Sequence, residues 1–244
     1  LKFQDLQGIK KPLFDHDSLS VSKSGLAVYM QCPYKYKHEK ILRTPGTGSS
    51  IPLDLGTSVH DTIDALTKDD PDNVPTKENA MKKLGEKWVF KSYSSKNEAR
   101  AHTNRAETMI DNYLNWRETT KNKVKVTEEK FDFVYEGVKI TGKIDWVEEN
   151  ASGGLEVVDF KSGDNLPYGE KWENDPQLYI YARGVKEIKE LGKYPVKGSL
   201  YYFEIEKWKT LDLDEQKVAE FFENKIKPML EDILSEKFDA TPGF

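Results

Sequence analysis

Two aspartates and a lysine stand where runs of β-forming residues end. In LEVVDFKSGD (155–164) side chains alternate, so Asp159 and Lys161 share a face with Val157 while Val158 and Phe160 face the other way. An acid and an ammonium therefore emerge side by side at the Ser162-Gly163 turn, as a structural ion pair or as half of an active site. Upstream, GKIDWVEE carries Asp145 on a strand that the ASGG turn joins directly to that of Asp159, so the two strands should pair. Carboxylates brought this close repel, and a hard divalent ion with oxygen ligands neutralises them. Beside such an ion, the Lys161 ammonium could stabilise charge developing on a phosphate or, were its pKa depressed, help deprotonate an attacking water. An isolated Asp-x-Lys is more often a surface pair worth under about 1 kcal/mol. The apolar flanks and the second aspartate argue against that here.

The elements that must position these groups fall into a helical first half and a strand-rich second half. Residues 1–18 mix charge, Gly8 and Pro12 without a period and read as an N-terminal arm. After a Ser22 cap, Leu26, Tyr29 and Met30 lie at helical spacing, with Pro33 as an interruption. Residues 43–52 read as a loop. A short amphipathic helix with Val59, Ile63 and Leu66 follows, capped by Asp54 or Thr57, and then helices over 77–93 (Met81, Leu84, Trp88) and 96–119 (Ala106, Ile110, Tyr113, Leu114). After Lys123 the period becomes two, giving two strands with a turn at Glu136-Gly137 and a third strand through Asp159. A helix over 173–189, a fourth strand and a fifth, and a last helix from Asp214 to Ser235, kinked at Pro228, complete the chain. This order predicts one α/β domain over 1–244, a mixed sheet with helices on its faces, with 61–122 as a helical insertion.

Composition narrows the function classes. With 32% charged, 37% hydrophobic and 11% aromatic residues, this is a polar globular chain, and no apolar run approaches the roughly 18 residues of a membrane span. A secretory signal is missing, and a start at Leu1 with an end at TPGF suggests a piece of something longer. The net charge of −5 offers no global attraction for nucleic acid, yet enzymes acting on polyanions often confine positive charge to a groove. In YKYKHEK (34–40), Tyr34, Lys35, Tyr36 and Lys37 would suit stacking on bases and holding phosphates of a single strand, or form a solvated helix end. The single cysteine, Cys32, excludes an intrachain disulfide and fits a reducing, cytoplasmic compartment.

Five motifs in order carry a resemblance over nearly the whole chain. Ser24, Leu26, Tyr29 and Cys32-Pro33 fit S-x-L-x-x-Y-x-x-C-P; Gly56 to His60 fit G-x-x-h-H, with h hydrophobic; Gly142 to Asp145 fit G-x-h-D; Val158 to Gly163 fit h-D-h-K-[ST]-G; and Gln177 to Tyr181 fit Q-x-x-x-Y. Together they resemble the RecB-like branch of the PD-(D/E)xK nucleases, found as nuclease domains on DNA helicases and as exonucleases. The resemblance implies a restriction-endonuclease-like α/β/α core and cleavage of DNA in repair, recombination or defence, with a helicase as a partner. It implies Mg2+ or Mn2+ held by His60, Asp145, Asp159 and the Phe160 carbonyl. Lys161 would be catalytic, and Gln177 and Tyr181 would lie beside the site and touch DNA. On residue type alone, His60 would be an ordinary hydrogen-bonded histidine, and Gln177 and Tyr181 ordinary residues of an amphipathic helix. Many members also hold a 4Fe–4S cluster through the first cysteine and three more after an F-x-A-x-P stretch. Here Phe238, Ala240 and Pro242 match that lead-in, but Cys32 alone cannot supply four thiolates, so a cluster would need cysteines beyond this chain. The competing class is a nuclease-fold module that grips DNA or scaffolds a helicase without cutting.

Overall fold

The computed structural model describes residues 13–15, 18–44, 50–166 and 172–241; most of the expected N-terminal arm lies outside them. Strands β2 (Lys123–Tyr135) and β3 (Val138–Glu149) form a long hairpin. Its turn residues Glu136 and Gly137 have φ of 49° and 76°, the double left-handed conformation that matches the twist of a two-residue hairpin. β4 (Leu155–Lys161) runs back antiparallel to β3, paired from Glu149↔Leu155 to Trp146↔Val158. β5 (Lys197–Tyr202) lies parallel to β4, and β6 (Lys207–Asp212) closes that edge antiparallel to β5. The parallel step from β4 to β5 needs a crossover, which helix α6 (Pro176–Glu187) provides. A strand not expected from the sequence pattern, β1 (Ser20–Ser22), pairs parallel to Lys139–Thr141 of β3. β2 covers one edge of β3 along its length, so β1 and β4 share the other and leave Gly142–Asp145 between them.

Helices cover both faces, as the alternation in β4 requires. Leu155 and Val157 pack into a core with α6, α1 (Lys23–Gln31), α7 (Glu215–Phe221) and α8 (Lys227–Leu234). Val158 and Phe160 pack into a second core with α3 (Ile51–Asp69), α4 (Lys77–Lys87) and α5 (Lys96–Thr119). A short α2 (Pro33–Tyr36) follows α1 after the extended Cys32, with Pro33 at its start. The approach of α6 to the sheet is set by three residues. Phe131 lies opposite Gly142 across the β2–β3 ladder, and a Cβ at Gly142 would meet its ring at 2.4 Å. A Cβ at Gly184 of α6 would meet the same ring at 2.6 Å. The ring thus fits between strand and helix only because both residues lack a side chain.

Several boundaries differ from expectation. α3 starts at Ile51 after Ser50 with Pro52 in its first turn, so neither Asp54 nor Thr57 is the cap; Asp54 is buried and accepts from the Ser92 N–H at 2.6 Å. Residue 61, expected to open the insertion, falls in the middle of α3. α4 ends at Lys87, with Trp88 already in extended conformation, and Met30 faces outward. The last helix is interrupted by a π-turn at Phe222–Ile226, after which Pro228 sits in the first turn of α8. Among the described residues no helix is long and apolar enough to cross a membrane.

Candidate active site

The site lies where β3 and β4 part. Pairing stops at Trp146↔Val158, and beyond it the Phe160 N–H turns to the Asp145 side chain, donating to Oδ2 at 3.0 Å. His60 approaches from α3, whose buried Val59 and Ile63 anchor it on the sheet. Its Nε2 is 3.1 Å from the Phe160 carbonyl, and its Nδ1 is 3.6 Å from Asp145 Oδ2 and 3.5 Å from Glu128 Oε1. Glu128, missed by sequence reasoning, stands opposite Asp145 in the β2–β3 register, between the pairs Thr127↔Trp146 and Glu129↔Ile144. Its φ of 50° is unusual for a non-glycine residue inside a strand, and its carboxylate is also paired with Lys143.

These charges shift one another. Burial, reinforced by the Asp159 charge, pushes the Asp145 carboxyl up to about 7 against the opposing pull of His60. Burial disfavours a charged His60, yet the Glu128 hydrogen bond and the Asp145 charge outweigh it and raise the imidazole. Burial likewise works against ionised Glu128, but His60 and Lys143 hold it below the usual carboxylate range. A carbonyl oxygen only accepts, so the contact to Phe160 requires a proton on Nε2; a second on Nδ1 then faces two carboxylates. Nitrogen and carboxylate ligand atoms of His60, Glu128 and Asp145 lie within 4.8 Å of one another, with the Phe160 carbonyl adjacent, a donor set that fits a hard or borderline divalent ion.

Asp159 stands outside that trio, with its carboxylate held on the opposite flank. Lys161 Nζ is 2.6 Å from Oδ2, and Oδ1 accepts from Gln177 Nε2 and, at 3.1 Å, from the Tyr181 hydroxyl. Lys23 of α1 lies 3.8 Å from Oδ1 and over the Tyr181 ring at 4.7 Å. Gln177 also accepts from Lys161 Nζ at 3.0 Å. Asp175 caps α6 and Pro176 opens it, which sets the four-residue spacing of Gln177 and Tyr181 on the sheet-facing side. Burial opposes ionisation of Asp159, but Lys161 and Lys23 prevail and hold it low; burial also works against a charged Lys161, and Asp159 keeps its ammonium above the ordinary value.

Some expected contacts move to other roles. Tyr181 is 1% exposed and Gln177 is buried, so both face Asp159 rather than an open DNA surface. Tyr36, expected to stack on bases, is 2% exposed, edge-on to Tyr29 and stacked on Phe238; it is a core residue. Tyr34 and Lys35 are exposed and Lys37 is half-buried, with Tyr34 against His38 and Lys35 3.8 Å from Glu39. Cys32 is buried beside the C-terminal segment: Tyr34 N–H donates to Asp239 O at 3.3 Å, and the backbone N–H groups of Thr241 and Lys35 lower the thiol. Glu128 and Lys143 do not stand out in the sequence, because each sits near other charges, and Lys23 reads as a lone lysine between two serines.

A mixed sheet between helical layers, with an acid and an acid-x-lysine where two adjacent strands part, is the architecture of restriction-endonuclease-like proteins. The chain belongs to the PD-(D/E)XK nuclease superfamily, whose profile matches residues 20–244. It is 30% identical over 198 residues to a subunit of the ATP-dependent helicase/deoxyribonuclease of Streptococcus agalactiae, a match covering 77% of this chain and 18% of that protein. The protein of the same name from Streptococcus uberis is 28% identical over 169 residues, covering 66% of this chain and 15% of that one. The chain thus spans less than a fifth of the length of these curated relatives. A crystal structure of a Eubacterium rectale protein described as an exonuclease superimposes with a TM-score of 0.55, covering 96% of this chain and 90% of the other at 13% identity, a likeness of fold.

Proposed function

We propose that this chain is a divalent-metal-dependent DNA nuclease domain, cutting from strand ends as an exonuclease within a helicase-linked DNA repair or recombination machine. The observation that carries this reading is the convergence of His60, Glu128, Asp145 and the Phe160 carbonyl at the β3–β4 fork, with Asp159 and Lys161 on its other flank. His60, Asp145 and Glu128 would hold the ion, with the Phe160 carbonyl and Asp159 next to it. When bound, Mg2+ or Mn2+ supplies a water of lowered pKa and neutralises phosphate charge; the imidazole favours Mn2+ somewhat. Lys161 is held charged, which supports a phosphate-stabilising role over that of a general base. Gln177 and Tyr181 orient Asp159 and Lys161 and so act as positioning residues. The deoxyribonuclease names of the relatives support DNA as substrate, and their helicase part supports a helicase partner.

The test is degradation of DNA ends, single-stranded and duplex, by purified folded protein with Mn2+, beside matched RNA. Asp159→Ala and Lys161→Ala should each abolish cleavage while leaving circular dichroism unchanged. Intact activity in both variants would remove the reading. Calorimetry with Mn2+ separates it from the scaffold alternative, which has no need of a metal at this fork.

A further inference from the structure

The segment between α4 and α5 has a character the nuclease site does not use. Residues 87–105 carry five cations, Lys87, Lys91, Lys96, Arg100 and Arg105, against one acid, Glu98, in a chain whose net charge is −5. Interleaved with them are Trp88, Phe90 and Tyr93. Trp88 and Tyr93 stack at 6.0 Å, and Phe90 stands edge-on to both at 6.5 and 6.4 Å. Phe90 is nevertheless 57% exposed. Trp88 and Phe90 border a cavity of about 300 Å³ lined also by Met81 and Leu84, by Lys96 and Arg100, and by a single acid, Glu107. Among the described residues Lys87, Lys91, Lys96 and Arg100 form no ion pair, and the buried Trp88 Nε1 has no acceptor.

This groove is tied to the fork. Ser58 Oγ accepts from the Val89 N–H at 2.9 Å and Asp54 from the Ser92 N–H at 2.6 Å, both on α3. Gly56 and His60, two residues on from Asp54 and Ser58, face the site from the opposite side of the same helix, about 200° away. Arg105, held by Glu204 at 2.7 and 2.8 Å, also feels the charge of Asp164, just past Lys161. An exposed ring backed by further rings, with unpartnered cations beside it, matches a base with its phosphates. A neighbouring protein helix would use the apolar floor but would leave the cations without partners.

We propose that the α4–α5 groove receives a nucleobase of a single DNA strand held by the domain, stacked on the exposed Phe90 with Trp88 edge-on, and with Lys96 and Arg100 on the flanking phosphates. This rests on the nuclease reading, and the two fail separately. Fluorescence anisotropy of a labelled oligothymidylate is measured with Ca2+ in place of Mn2+, beside an abasic strand of equal length and charge. Phe90→Ala should weaken oligothymidylate binding about tenfold, leave the abasic strand unaffected, and be rescued by Phe90→Trp. Lys96→Gln and Arg100→Gln should each lower the salt slope by about 0.7 on both strands. The proposal is overturned if wild type cuts DNA with Mn2+ but Phe90→Ala binds oligothymidylate within twofold of it, or if wild type binds both strands equally. A wild type that neither cuts nor binds DNA would overturn the nuclease reading and this groove assignment with it.

Discussion

Gly142→Ala should destabilise the fold and misplace α6, and its size follows from one ring. The added Cβ would lie 2.4 Å from Phe131 Cζ, where carbon atoms normally approach to about 3.5–4.0 Å. The ring cannot retreat, because the backbone of Gly184 leaves a gap in which a Cβ would come within 2.6 Å of Phe131 Cγ. Overpacking of this kind costs about 1–3 kcal/mol, and a site closed on both sides belongs at the upper end. For a chain of this size that lowers Tm by about 5–10 °C, read by calorimetry or urea denaturation. Relief by retreat of α6 would carry Gln177 and Tyr181 away from Asp159, so cleavage should fall further than stability. Phe131→Leu alone costs packing energy, but combined with Gly142→Ala it should cost less than the sum by about 1 kcal/mol or more. A Gly142→Ala change within about 0.5 kcal/mol of wild type, or strict additivity in the double variant, would refute the wedge.

Two further outcomes follow from the charges at the fork. In metal-free protein Asp145 has a carboxyl near 7 where an unfolded chain has 3.8. The folded state therefore keeps a proton that the unfolded chain releases between those values. The group's effect on stability is absent below about pH 4 and becomes a loss that grows as pH rises to about 7. Asp145→Asn should remove this loss, flattening the fall in urea midpoint between pH 4 and 7, and Mn2+ should raise the wild-type midpoint more at pH 8 than at pH 5; parallel pH profiles of wild type and variant would contradict this. Glu128→Gln should weaken Mn2+ binding by about 10–100-fold in calorimetry, whereas an unchanged affinity would place Glu128 outside the metal's surroundings.

What the sequence made legible was whatever a regular period could place. Alternation put Asp159 and Lys161 on one side of β4 and Phe160 on the other, and the four-residue interval joined Gln177 to Tyr181. Irregular backbone was invisible. Glu128 reads as a solvated charge in TEEK, and only its φ of 50° and the arrival of α3 from far along the chain turn it toward His60. β1 is three residues with two serines, recognisable as a strand only by its partner on β3. The tyrosines of YKYK look equivalent because they alternate; a helix turns about 200° between them, so Tyr34 faces water and Tyr36 the core. The aromatic and cationic run at 87–105 is hidden when Trp88 is taken as one more residue of a helical stripe, because α4 has already ended.

Under the proposed function the fork would offer separate places to a cation and an anion. Its acids are divided: Asp145 and Glu128 gather on the histidine side, while Asp159 is matched on the other side by Lys161 and Lys23. On the proposed reading, His60, Glu128 and Asp145 would hold a divalent ion, while Lys161 stays on the Asp159 flank, where its ammonium would meet a phosphate. Because such an ion would compete with protons for the imidazole and the Asp145 carboxylate, its affinity should strengthen as pH rises, and substitutions on the Asp159 flank should change cleavage more than metal affinity.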